Sequence, residues 1–91
     1  MKYAQMQEAL VIISKCDCLS ITEDDKPFVI SVLGSIIKSL AEVGISLTEI
    51  KIHYEILKVS TWSNGYFCQK ARYLCSQLYP KVELCSKLFD N

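Results

Sequence analysis

The residues best suited to chemistry in this chain are its five cysteines and its single histidine. Cys16 and Cys18 are separated by one residue, which is too short a spacing for a zinc knuckle, and no second ligand pair accompanies them. Cys68 and Cys75 lie seven residues apart, a spacing that also suits one buried helix face, where cysteine packs as a small apolar side chain. A metal or redox site would need His53 or cysteines from separate helices to complete it. We therefore expect no metal, no cofactor, and cysteines that are packed thiols.

The sequence also lacks the other arrangements that are typical of catalysis. His53 has no serine or aspartate pattern beside it, and nothing resembles a phosphate-binding loop. The acidic residues 23–25 are typical of the start of a helix, where negative charge is favourable, rather than of a catalytic pair of carboxylates. We expect the protein not to be an enzyme.

Length and composition limit the possible functions. The chain has 91 residues, which predicts a single domain spanning residues 1–91. Ten basic and ten acidic residues balance to zero net charge, so no basic face for nucleic acid is predicted. The hydrophobic content is 51%, which is high for a domain with so much surface per unit volume. This excess predicts that part of the apolar surface is covered by a partner.

Cysteine usage and hydropathy suggest the compartment. The number of cysteines is odd, and the residues after Met1 do not form a secretory signal. The longest apolar run, residues 9–13, is too short to span a bilayer. We expect a cytoplasmic protein with reduced thiols and no membrane span.

Apolar residues recur at three- and four-residue spacing, which predicts an all-α fold of four to five antiparallel helices. Asp24 or Asp25 is expected to cap the second helix, with Pro27 in its first turn, and Gly44 to end it. The predicted helices cover residues 3–16, the segment from that cap to Gly44, residues 46–62, residues 66–78 and a short fifth helix, residues 80–89.

The third predicted helix has two apolar stripes. The alternating residues 50–56 would also fit a strand, but a capping box at Ser46 and Glu49 favours a helix. At 100° per residue, one stripe comprises Ile50, Tyr54 and Leu57. The opposite stripe comprises Ile52, Ile56, Val59 and Trp62. One stripe is enough to pack a surface helix, so the second indicates either a helix buried on all sides or a face that binds a partner. Trp62 is of a type favoured in interface hot spots.

The third and fourth helices together have the length of one tetratricopeptide repeat. Residues 46–79 span 34 positions, and Gly65 matches the glycine that opens the second helix of that repeat. Phe67 then matches the turn aromatic, and Leu74 the large residue of the second helix. Ala71 comes one place late and Pro80 two places early, so the match to the repeat is divergent. It predicts a helical-hairpin, repeat-like arrangement.

The chain as a whole resembles the type III secretion needle chaperones of the YscG and PscG kind, and in its length and cysteines the shorter members from attaching-and-effacing enterobacteria. The resemblance lies in a leading helix pair, an N-G-x-F stretch at residues 64–67, an L-Y-P stretch at residues 78–80, and Glu and Leu in a final helix. Few identical residues lie outside residues 64–88, so the resemblance is mainly one of pattern.

This resemblance implies a cytoplasmic, non-enzymatic chaperone that acts with a small helical co-chaperone. Together they would hold the needle subunit and prevent its premature polymerisation by burying its amphipathic C-terminal helix in a concave surface. Repeat position places Ile52, Glu55, Val59 and Trp62 on that surface. The full set of predicted partner-binding residues adds Ile56 from the second stripe and Tyr66 and Tyr73 from the flank of the fourth helix.

Two other kinds of protein fit a short helical chain. An immunity or inhibitor protein that binds a toxin or enzyme usually carries clustered acidic charge, whereas the charges here are balanced. A helix-turn-helix regulator would gather lysine and arginine on one helix, and no predicted helix does so.

Overall fold

The computed structural model describes residues 2–15, 17, 20–59 and 63–89, and this part of the chain forms four α-helices. They are α1 (Tyr3–Ser14), α2 (Asp25–Glu42), α3 (Thr48–Val59) and α4 (Asn64–Phe89). The predicted all-α class is confirmed, and the third segment is a helix rather than a strand. Within the described ranges, no helix is both long enough and apolar enough to cross a bilayer.

The four helices close into a bundle around α4. This helix packs most extensively along α1 and also contacts α2 and α3. Helices α3 and α4 form a hairpin of the kind predicted, but the first helix packs on the last, whereas the units of a simple repeat stack contact only their neighbours. The largest fully buried side chains come from all four helices: Met6, Leu10, Leu33, Ile36, Leu40, Leu57, Cys68, Leu74, Leu78, Val82 and Cys85.

The predicted break before Pro80 is wrong, because α4 continues through this residue to Phe89 as one helix. A proline inside a helix removes one backbone hydrogen bond and costs about 3 kcal/mol relative to alanine. Leu78, Val82 and Cys85 are each completely buried and continue one stripe across the proline. Burial of each large apolar side chain contributes about 1.5–3 kcal/mol, so packing outweighs the local cost.

The start of α2 is held by a pair of reciprocal hydrogen bonds. The Asp25 N–H donates to Thr22 Oγ1 at 3.2 Å, and the Thr22 N–H donates to Asp25 Oδ2 at 2.9 Å. The Thr22 N–H, and after it the Thr22 side chain, donate hydrogen bonds to the Asp25 carboxyl and hold its pKa below the usual value. Asp25 therefore stabilises this helix start as one half of a capping box, while Pro27 lies in the first turn as predicted.

The connection between α2 and α3 follows the predicted pattern with one shift of register. Gly44 has φ of 88°, the left-handed conformation expected of a glycine that ends a helix. The first backbone hydrogen bond of α3 runs from the Lys51 N–H to the Leu47 carbonyl at 2.8 Å. Leu47 therefore occupies the N-cap position, one residue later than the box at Ser46 predicted.

Gly34 of α2 lies against the Tyr54 side chain of α3. The Tyr54 hydroxyl reaches across from α3 and donates a hydrogen bond to the Ile30 carbonyl at 3.1 Å. A β-carbon at position 34 would overlap that hydroxyl oxygen. The glycine thus permits the close packing of the two helices, and this contact helps to orient the outer face of α3.

Candidate functional site

The first apolar stripe of α3 forms part of the core, as predicted. Ile50 and Leu57 are buried, and Tyr54 is half-buried with its hydroxyl bonded to α2. This stripe attaches α3 to α2 and α4. The opposite side of the helix therefore faces outward.

The second apolar stripe is exposed to solvent. The exposed fractions of Ile52, Ile56 and Val59 are 56%, 36% and 75%. This observation rules out a helix that is buried on all sides, which was one of the two interpretations of the paired stripes. The fourth residue of the stripe, Trp62, lies outside the described residues.

Glu55 lies on the same outer face as the second stripe. Its carboxylate Oε1 is 3.2 Å from the Lys58 ammonium, and both side chains are largely exposed. An ion pair in water contributes little to stability, so a partner could replace it at small cost. Glu55 is exposed on this face, and its place on a concave surface that binds a partner stays a prediction.

A groove lies beside this stripe, between α3 and α4. Its volume is about 390 Å³, and its lining residues are His53, Tyr66, Gln69, Lys70 and Tyr73. The His53 ring meets the Tyr73 ring edge-on, with the centroids 4.8 Å apart and an angle of 64° between the planes. Tyr66 and Tyr73, both predicted to bind a partner, are partly exposed here.

The polar groups of the groove favour a ligand that accepts hydrogen bonds. Lys70 Nζ lies 2.9 Å from His53 Nδ1. Since an ammonium group can only donate, Nδ1 of a neutral imidazole accepts this bond and the ring proton lies on Nε2. The described lining residues include no carboxylate, so the groove offers donors and aromatic faces to a partner.

The stripe and the groove form one continuous surface. His53 is three residues before Ile56, so the two side chains are neighbours on the face of α3. We call this the α3–α4 surface; it comprises Ile52, His53, Ile56, Val59, Tyr66, Gln69, Lys70 and Tyr73. Five of these were predicted from the sequence, with Glu55 on the adjoining part of the outer face.

Sequence reasoning missed His53, Gln69 and Lys70. His53 lies six residues before the end of α3, and Lys70 lies six residues after the start of α4. An antiparallel hairpin brings such equidistant positions together, so helix bounds combined with hairpin geometry could have predicted this pair. Neither His53 nor Lys70 alone indicates that the two residues line a groove together.

The cysteines pack rather than line a reactive site in the part of the chain described. Cys68, Cys75 and Cys85 are buried thiols on the core face of α4. Burial raises the pKa of the Cys85 thiol, which keeps it protonated and poorly nucleophilic. The described residues group no three potential metal ligands, while Cys16 and Cys18 lie outside them. That the protein binds no zinc stays a prediction.

No family model, no curated protein and no solved structure matches this chain. The resemblance to the needle chaperones therefore rests on the pattern of residues alone. The exposed second stripe and the groove beside it are independent of that resemblance.

Proposed function

We propose that this protein is a non-enzymatic chaperone that binds an amphipathic helix of another protein on the α3–α4 surface. The observation that carries the proposal is the exposure of Ile52, Ile56 and Val59 on a helix whose opposite stripe already fills the core. These residues follow i, i+4, i+7 spacing, which is the pattern of helices that pack against a partner helix. Their exposed apolar surface is not used in the core of the isolated chain.

The side chains of the α3–α4 surface indicate which groups a bound helix would need. Its apolar face would cover the stripe on α3, and an acceptor group beside that face would reach Lys70 and His53 in the groove. Tyr66 and Tyr73 add aromatic contact area together with hydroxyl groups at the rim. The partner is therefore a helix with one apolar side and flanking carboxylate or amide groups.

The resemblance to the needle chaperones supports a more specific assignment. We propose that the bound helix is the C-terminal helix of a type III secretion needle subunit, held in the cytoplasm together with a small helical co-chaperone. The positions that the resemblance assigns to the binding surface include Ile52, Glu55 and Val59, and all three are exposed on the outer face of α3. Covering the needle helix would prevent the subunit from polymerising before export.

Co-expression provides the test. The chain and a co-chaperone would be produced with a needle subunit, either intact or with the apolar face of its C-terminal helix changed to serine. We expect the intact subunit to elute in a soluble complex of defined mass by size-exclusion chromatography with light scattering, and the serine version not to join it. Polymerisation of the intact subunit to the same extent with and without this chain would contradict the proposal.

A further inference from the structure

A second exposed apolar patch lies between α1 and α2. The exposed fractions of Ile12 and Phe28 are 62% and 67%, and they border an open cavity of about 190 Å³. Phe28 is two residues before Ile30, whose carbonyl contacts Tyr54 of α3, so its side chain points to nearly the opposite side of α2. We call it the α1–α2 patch; it comprises Ile12, Asp17, Ser20, Asp25 and Phe28. It faces away from α3.

The α1–α2 patch has an acidic border. Asp17 and Asp25 line its cavity, and the lining residues described there include no lysine or arginine. Glu23 and Asp24 are exposed in the segment that leads into α2. Glu23 is paired with Lys26 at 3.1 Å, so the net negative charge beside the apolar side chains comes from Asp17, Asp24 and Asp25.

The α3–α4 surface carries cations beside its apolar side chains. Lys70 lies in its groove, and Lys51 adjoins Ile52 on α3. In the described part of the chain, neither ammonium has a carboxylate within ion-pair distance. Glu55 on this side is already paired with Lys58, and Glu49 shares a neighbouring cavity with Lys81. The two unneutralised lysines leave the surface complementary to an acidic border.

We propose that a second copy of this chain occupies the α1–α2 patch through its own α3–α4 surface, so that copies associate head to tail. Each contact would bury Ile12 and Phe28 of one copy against Ile52 and Val59 of the next. The acidic border would then face Lys51 and Lys70. Because the net charge of the chain is zero, no overall repulsion opposes the approach of two copies.

This geometry makes specific demands on the assembly. The two contacting surfaces differ, so the interface is heterologous, and a single contact leaves one surface of each copy open for a further copy. The α3–α4 surface is also the one assigned above to a partner helix, so a bound partner would block self-association. The self-association itself requires only the two surfaces and stands independently of the proposed function.

Two surface variants test the arrangement. The first carries Ile12→Ser and Phe28→Ser, and the second carries Ile52→Ser and Val59→Ser; all four side chains are largely exposed, so circular dichroism and thermal unfolding are expected to match the wild type. Sedimentation velocity would follow the mass of each sample over a wide range of protein concentration, at low and high salt. The single substitutions Phe28→Ser and Val59→Ser, one on each surface, disturb the proposed contact less and would be measured in the same way.

The wild type is expected to grow beyond its monomer mass of 10.3 kDa as concentration rises, and to do so less at high salt. Each variant alone should stay monomeric, and an equimolar mixture of the two should form a one-to-one dimer and nothing larger. The matched control Leu84→Ser changes an exposed apolar side chain on α4 and should associate as the wild type does.

Three results would overturn the proposal. A wild type that stays monomeric at every concentration excludes self-association. A mixture of the two variants that stays monomeric excludes the head-to-tail contact. Association that is lost in the α3 variant and unchanged in the α1–α2 variant would place two α3–α4 surfaces against each other around a two-fold axis.

Discussion

The contact between Gly34 and the Tyr54 hydroxyl sets how closely α3 approaches α2. Gly34→Ala gains about 1 kcal/mol of helix propensity but overpacks this contact, which costs about 1–3 kcal/mol. We expect the single change to be neutral or destabilising. In a Tyr54→Phe background the oxygen is gone and the nearest ring carbon, Cζ, lies 3.1 Å from the added β-carbon, so the same change should cost less than it does in the wild type.

Urea unfolding of the wild type, both single variants and the double variant would measure this coupling. The double-mutant cycle should give an interaction free energy that favours the pair of changes together. Additive effects of the two changes would show that Tyr54 moves aside freely and does not fix the distance between the helices.

The Asp25 carboxylate should contribute a pH-dependent part of the stability. Its folded-state pKa is lowered by the bonds from Thr22, so its contribution is present above the unfolded-state pKa and is lost as the pH falls through the folded-state pKa. We expect Asp25→Asn to be less stable than the wild type at neutral pH, with the gap closing in acid. Urea unfolding at a series of pH values measures the gap.

Asp24→Asn is the matched control, because the Asp24 side chain makes no capping hydrogen bond. Asp24→Asn removes an equal charge at the same helix start without breaking a capping hydrogen bond, so its gap from the wild type should be smaller than that of Asp25→Asn. A gap between Asp25→Asn and the wild type that stays constant from neutral to acid pH would argue against the cap.

At the scale of elements, α4 is continuous because its buried stripe outweighs the proline within it. Pro80 is exposed, so replacing it should not open a cavity. Pro80→Ala restores a backbone donor in the helix and should raise the unfolding free energy by up to about 3 kcal/mol. Thermal and urea unfolding would measure the change. Lower stability in this variant would mean that the fold depends on a bend at Pro80.

The two stripes of α3 should respond differently to truncation. Leu57 is 1% exposed, so Leu57→Ala removes core contacts and should cost about 2–5 kcal/mol. Val59→Ala truncates an exposed side chain on the same helix and should change stability by less than about 0.5 kcal/mol. Equal losses in the two variants, measured by urea unfolding, would place Val59 in the core and contradict the assignment of the stripes.

Helical periodicity predicted the four helices and the core stripe of α3, because burial and helix caps leave local patterns in the sequence. It failed at Pro80, where tertiary packing on α1 overrides a local signal for a break. The packing of α1 along α4 could not be predicted, since it depends on contacts between distant segments. Periodicity identified the second stripe of α3, but only the packed structure places Ile52 and Val59 in solvent.

In the candidate site, too, some residues could be predicted from local spacing and others only from tertiary packing. Tyr66 and Tyr73 could be assigned to a flank of α4 from spacing alone. The pairing of Lys70 with His53 arises only when α3 and α4 pack side by side, so neither residue carried a local signal. The spacing of apolar and aromatic residues predicted the exposed stripe of α3 and the tyrosines of α4. Only the packing of α3 against α4 shows that His53 and Lys70 lie beside them.

At the scale of the whole molecule, four helices close around α4 and leave the outer face of α3 apolar. Apolar side chains at helical spacing on one exposed face favour a binding role. The central claim is that this face binds an amphipathic helix. The claim can be tested by two measurements, the affinity for the helix and the unfolding free energy, because the residues that bind the helix are expected to differ from those that form the core.

The most direct test is the affinity of the C-terminal helix of a needle-type subunit, measured by calorimetry, for the wild type, Val59→Asp and Leu84→Asp. Val59→Asp should weaken binding at least about tenfold, which is 1.4 kcal/mol, while the unfolding free energy changes by less than about 0.5 kcal/mol. Leu84→Asp places the same charge on another exposed apolar residue and should alter neither quantity. Wild-type affinity in Val59→Asp, or unfolding of that variant as complete as that of Leu57→Ala, would contradict the claim.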